Sequence, residues 1–259
     1  MTKSFTRVDR PSPPGPLSNA LTFGWRAVLK FKHVPEQLFD LVMTPIMFTL
    51  LFTFVFGGAL AGSTGNYLQY LLPGILVQTV LCNAVYSGMG LSKRLFDRCR
   101  SLPIWSLAPF ARLFVGDFPR HMISGGIILG IGLALGYRAD AGPIGVVGAF
   151  LVLLAVGFGF GWCFIVLRLL VRTPTTVMTL GFTVLFPLVF ASNVMVDPAT
   201  MPGWLEAFVR ANPVTWIVTA VQGVMDGTVT AGAIGLALLA PAVLALILMP
   251  LSLRLYRRS

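Results

Sequence analysis

The chain has 259 residues, of which 56% are hydrophobic and only 11% charged. A soluble domain carries roughly 25% charged residues, so this chain has too few to solvate a water-exposed surface, and lipid is the simpler outer solvent. The formal net charge of +10 raises nucleic acid as a partner, but the placement of the basic residues along the chain argues against it.

Residues 1–17 hold Pro11, Pro13, Pro14 and Pro16 among Ser and Gly and read as a disordered cytoplasmic tail. A single transmembrane domain is expected to fill 18–259. No cleavable signal is evident, because the first apolar run starts only near Leu38 and no Ala-x-Ala site follows it. Residues 18–33 look amphipathic: Leu21, Trp25, Val28 and Leu29 recur at helical spacing, with Arg26, Lys30, Lys32 and His33 on other faces. This suits an interfacial helix that Pro35 ends, or equally an ordinary juxtamembrane anchor.

Six stretches are apolar enough to cross the bilayer, each of about 20 residues: near 38–59, 67–90, 113–136, 143–167, 173–196 and 230–253. The third is the weakest, since Asp117, Arg120 and His121 sit in its first turns. It is expected to begin in the cytoplasm and enter the membrane near Met122. Of the 19 Lys and Arg, all but Arg120, Arg138 and Arg210 fall on one side of this layout. They lie in the N-terminal segment, the loops after spans two and four, and the tail. Positive charge stays inside, so both termini are expected in the cytoplasm and the charge is a topology signal rather than a nucleic-acid footprint.

Motifs for chemistry are missing from the sequence. There is no GxxxxGK[ST], HExxH or GxSxG, and His33 and His121 are the only histidines, so neither nucleotide hydrolysis nor a metal site is expected of this chain. Cys82, Cys99 and Cys163 form no CxxC pair and are odd in number, which indicates no zinc site and no disulfide framework. Gly126-x-x-x-Gly130, Gly132-x-x-x-Gly136 and Gly157-x-x-x-Gly161 read as surfaces where helix backbones approach closely. Asp117 and Arg120, at i, i+3, read as a structural ion pair near the cytoplasmic end of span three. No charge is expected near the span midpoints, which disfavours a strongly charged or ion-coupled substrate.

Two loops are informative. The cytoplasmic segment 92–111 is short, basic and interrupted by Pro103 and Pro109. If 92–101 is helical, Leu95, Phe96 and Cys99 form an apolar face beside Arg94, Asp97 and Arg98. Such a face could enter a partner's groove, or the segment could be a solvated basic loop. The outer segment 193–227 holds Pro198, Pro202, Trp204, Pro213 and Trp216, with apolar runs too short to cross. These suit re-entrant or interfacial helices with Trp204 and Trp216 at headgroup level.

At these segments the chain resembles the permease subunits of type-2 ATP-binding-cassette exporters, in the daunorubicin/doxorubicin-resistance-like branch. The likeness is carried by Trp25-Arg26 through Pro35 to Pro45, by Tyr70-Leu71-Leu72-Pro73-Gly74-Ile75-Leu76, by Phe96 through Ile104, and by Met201-Pro202-Gly203-Trp204-Leu205 with Asn212-Pro213-Val214-Thr215. Two positions depart from the family pattern: Gln222 stands where an Arg is frequent, and Ser92-Lys93 where an acid is.

The resemblance implies an all-α integral membrane protein of the bacterial inner membrane. It implies six spans, an N-terminal interfacial helix (Trp25, Arg26, Lys30), a cytoplasmic coupling helix and an outer re-entrant hairpin before the last span (Pro202, Trp204, Asn212, Pro213). Two permease chains pair, as homodimer or heterodimer, within membrane lipid. A separate cytoplasmic ATPase binds ATP and Mg and pushes on Phe96, Asp97, Arg98, Arg100, Ser101, Leu102 and Pro103. The implied function is export of a hydrophobic or amphiphilic drug, lipid or secondary metabolite, with a lipid-linked glycan as the alternative cargo and a stand-alone carrier behind it. Phe182, Phe186, Phe190 and Asn193 are candidates to line the path or to pack between spans.

Overall fold

A computed structural model describes residues 35–61, 64–89, 108–171 and 173–258. Among these the regular structure is entirely helical: α1 (Pro35–Ala61), α2 (Thr64–Met89), α3 (Ala108–Ala134), α4 (Gly142–Leu170), α5 (Pro174–Phe190), a 3-10 turn (Pro198–Thr200), α6 (Gly203–Ala211), α7 (Pro213–Asp226) and α8 (Ala231–Arg258). Three helices are long and apolar enough to cross a membrane, at Thr64–Gly88, Gly142–Leu170 and Ala231–Leu255. Val42–Gly57 and Pro174–Phe190 are apolar but shorter, and α3 carries the polar run Asp117, Arg120 and His121.

Two expected boundaries need correction. The fifth apolar stretch was placed over 173–196, but α5 ends at Phe190 and a non-helical linker follows. Pro187 sits in the last turn, and the Ser192 hydroxyl donates back to the Val189 carbonyl at 2.5 Å, a local bond that competes with the helix ladder. The third apolar stretch is expected from 113, but α3 is continuous from Ala108, so the charged residues before Met122 are already helical. Phe110 and Phe114 already pack on Trp162 of α4, at ring-centroid distances of 5.3 and 5.2 Å. The aromatic packing against α4 holds the charged first turns of α3 in the helical state.

α2 is the hub, packing against α1, α3, α4, α5 and α7. Its Leu71, Leu72, Ile75, Leu76, Val80 and Leu81 are almost fully buried in the main core cluster. In lipid such contacts gain from close van der Waals packing rather than from leaving water. Gly74 meets this demand: a Cβ there would lie 2.6 Å from the Val194 carbonyl oxygen, so only hydrogen lets the post-α5 linker reach α2. Gly159 does the same for α8, since a Cβ would collide with the backbone of Pro241. Gly126 and Gly130 do not: among the described residues nothing lies within 4 Å of a Cβ at either, so this pair makes no helix contact there. α8 leaves Leu236, Leu239, Val243, Leu246 and Ile247 exposed, an apolar face suited to lipid.

Candidate functional site

At the end of the bundle where α2 begins, polar side chains tie three separate segments together. The Tyr70 hydroxyl donates to the Asn193 carbonyl at 2.7 Å, and Tyr67 donates to the Met195 carbonyl at 3.0 Å. Both acceptors belong to the linker after α5. The Gln222 side chain of α7 donates to the Tyr70 carbonyl at 3.0 Å. Asn193 donates to the Thr219 hydroxyl of α7 at 3.1 Å. These bonds close a clasp of α2, the linker and α7.

Asn212 fixes the other side of the linker. Its side-chain nitrogen donates to the Leu188 and Ala191 carbonyls at 2.7 and 2.6 Å, meeting orphan acceptors at the end of α5. Its oxygen accepts from the Val214 N–H at 2.9 Å and caps α7. Pro213 takes the first helical position of α7, where no N–H is required. One asparagine therefore joins the end of one helix to the start of another.

The other expected hairpin residues fall on α6 and its start. Pro202 precedes α6 and Trp204 is its second residue, 77% exposed. The Trp216 indole donates to the Arg210 carbonyl at 2.8 Å across the α6–α7 corner, and Arg210 pairs with Glu206 at 2.6 Å. α7 buries Val214, Ile217, Val218, Val221 and Met225, so the hairpin's second arm is driven into the bundle while its first arm stays on the surface.

The path candidates separate. Phe186 and Phe190 are exposed and stack at 4.4 Å. Phe182 is half-buried and meets the edge of Tyr86 at 6.2 Å, while Asn193 is buried in the clasp. The coupling residues Phe96, Asp97, Arg98, Arg100, Ser101, Leu102 and Pro103, and the interfacial residues Trp25, Arg26 and Lys30, lie outside the described residues. The sequence reading did not single out Tyr67 or the role of Gln222. Two tyrosines at i, i+3 opening an apolar span are the signal that marks them, since a buried hydroxyl needs a partner.

Asp117 and Arg120 are not simply a surface pair. His121 is 5% exposed, and its Nε2 abuts Gly157 next to the midpoint of the 29-residue α4. Asp117 lies one turn nearer the start of α3. A titratable side chain, His121, therefore reaches the middle of α4.

The described residues thus combine helices long and apolar enough to cross a membrane with a polar clasp at one end of the bundle. Residues 19–225 match the ABC-2 type transporter family, and the chain belongs to that family. It is 44% identical over 255 residues, 97% of this chain and 90% of the other, to the "Daunorubicin resistance ABC transporter permease protein DrrB1" of Streptomyces coeruleorubidus. It is 27% identical over 208 residues, 76% of this chain and 70% of the other, to "Putative transport permease ycf38" of Cyanophora paradoxa. With the "Probable doxorubicin resistance ABC transporter permease protein DrrC" of Mycobacterium tuberculosis it shares 23% over 225 residues, 84% of this chain and 80% of the other.

Proposed function

We propose that this chain is the transmembrane subunit of an ATP-driven exporter that moves a hydrophobic or amphiphilic drug-like substrate out of the cytoplasm or inner leaflet. The observation that carries the reading is its 44% identity, over nearly its whole length, to a permease named for daunorubicin resistance. ABC-2 membership accounts for the absence of a P-loop from the sequence: ATP and Mg are held by a separate cytoplasmic ATPase. In this reading α1, α2, α3, α4, α5 and α8 are the six spans, the α6–α7 hairpin re-enters from the outside, and two permease chains pair in the inner membrane. The one-sided distribution of Lys and Arg supports cytoplasmic termini. ATP binding closes the ATPase dimer, the push arrives through Phe96–Pro103 and the interfacial helix around Trp25, Arg26 and Lys30, and the spans shift toward an outward-open state. The clasp of Tyr67, Tyr70, Asn193 and Gln222 is what must loosen at the outer end.

The test is co-reconstitution with a partner ATPase subunit. Amphiphiles should stimulate hydrolysis and be carried across vesicles, and Asp97→Ala or Arg98→Ala should uncouple the two. Full coupling in both variants removes the coupling-segment assignment, and no response to any amphiphile removes the exporter reading.

A further inference from the structure

Between α2 and α3 lies a polar cluster that the export reading does not use. Asn83 donates to the Ser124 hydroxyl at 2.9 Å, and Ser124 donates to the Arg120 carbonyl at 2.9 Å. The Ser87 side chain hydrogen-bonds the Asp117 carboxylate. The Arg120 guanidinium lies 5.1 Å from the centroid of the Tyr86 ring and acts electrostatically on both Asp117 and His121. Phe182 meets the same tyrosine from α5. Arg120, Tyr86 and Phe182 are each half-buried, so this row runs from α3 across α2 to α5 at the edge of the bundle rather than sealed within it.

Three properties point to a ligand. Asp117 Oδ2 is buried and has no hydrogen-bond partner among the described residues. A carboxylate oxygen can only accept, and leaving it unmet away from water is costly. Of the described acidic residues from α2 to α8, Asp117 alone sits inside a long helix; Asp140, Asp197, Glu206 and Asp226 lie in the loop before α4, the linker, α6 and the end of α7. Finally, the aromatic row beside it already holds a cation, the chain's own Arg120. The unmet group is a negative acceptor beside aromatic faces, and an ammonium supplies three donors, a positive charge and no acceptor.

We propose that Asp117, beside Ser87 and next to the Arg120–Tyr86–Phe182 row, recognises the protonated amine of an amphiphilic substrate, with Arg120 as the resident cation that the amine displaces. The proposal rests on the exporter reading and adds the charge of the cargo and the residue that reads it. It separates from a purely structural Asp117–Arg120 pair by sign. Partners in a structural pair fail together when either is removed. In a displacement site, removing Asp117 weakens the amine, whereas removing Arg120 takes away its competitor.

The probes are two amphiphiles with one hydrophobic body, a primary amine and its N-acetyl derivative. The measurement is stimulation of hydrolysis by the full transporter reconstituted with its ATPase. The wild type should respond to the amine at lower concentration than to the neutral probe. Asp117→Asn should raise the half-maximal amine concentration about tenfold, as expected for one buried charge-assisted hydrogen bond, and leave the neutral probe unchanged. Arg120→Gln should lower the amine value several-fold. Asp117→Glu keeps the charge and carries the same test should the Asn variant not assemble: the amine value rises and the neutral one holds. The proposal is overturned if both substitutions shift both probes alike, or if Asp117→Asn keeps the amine preference. A wild type deaf to both probes overturns the exporter reading and this site with it.

Discussion

At the scale of single residues, Asn212 is the densest junction between α5 and α7. It meets the carbonyls of Leu188 and Ala191 with its nitrogen and the Val214 N–H with its oxygen. Asn212→Ala leaves both acceptors and one donor unmet, and should cost about 1–3 kcal/mol, seen as a lower unfolding temperature in detergent. Asn212→Asp keeps the oxygen that caps α7 but loses the donors, so it should fall between alanine and wild type. An aspartate variant as stable as wild type would show that the bond to α5 contributes nothing. This residue was legible by motif and not by role. Nothing local in Asn-Pro tells which distant carbonyls the amide reaches, because they lie 21 and 24 residues back in the chain.

At the scale of elements, the spans were legible where apolar residues run unbroken. α2, α4 and α8 lie within a few residues of the expected stretches, apart from a longer C-terminal end on α8. The start of α3 was not, because hydropathy registers Arg112, Asp117, Arg120 and His121 and not the stacking of Phe110 and Phe114 on Trp162. The loop before α4 and the end of α7 were unreadable for another reason: they meet only in the fold, where the Ala141 N–H donates to the Met225 carbonyl at 3.0 Å. That meeting has an electrostatic cost. Burial, and then the nearby Asp140, push the Asp226 carboxyl above its ordinary value of 3.8. A raised carboxyl destabilises the fold only where it is ionised, so the penalty is absent below the ordinary value and grows as pH rises through the folded-state value. Asp226→Asn should therefore raise the unfolding temperature at pH 7 and leave it unchanged at pH 3. A variant that shifts both pH values equally would place the effect in the α7 cap and not in the charge.

At the scale of the whole molecule, α2 carries both ends of the proposed mechanism. Tyr67 and Tyr70 hold the clasp, and Asn83, Tyr86 and Ser87 border the Asp117 cluster, 17 residues further on from Tyr70 to Ser87 and about 25 Å away. Neither end touches the other, so any communication passes through the helix itself or the core packed around it. Tyr70→Phe and Ser87→Ala each remove one hydrogen bond, and sites this far apart are ordinarily additive in stability to about 0.3–0.5 kcal/mol. Unfolding of the double variant should follow that rule. Transport differs, because a cycle that tilts α2 as one body loads both ends in the same step, and coupling between sites is a free energy shared by both. Amphiphile-stimulated hydrolysis should therefore be non-additive. Loosening the clasp should make the loss of the Ser87 bond matter less, since the helix then moves without waiting for the Asp117 cluster. Additive hydrolysis rates beside additive stabilities would mean that the two ends act independently and that α2 is a scaffold rather than a lever.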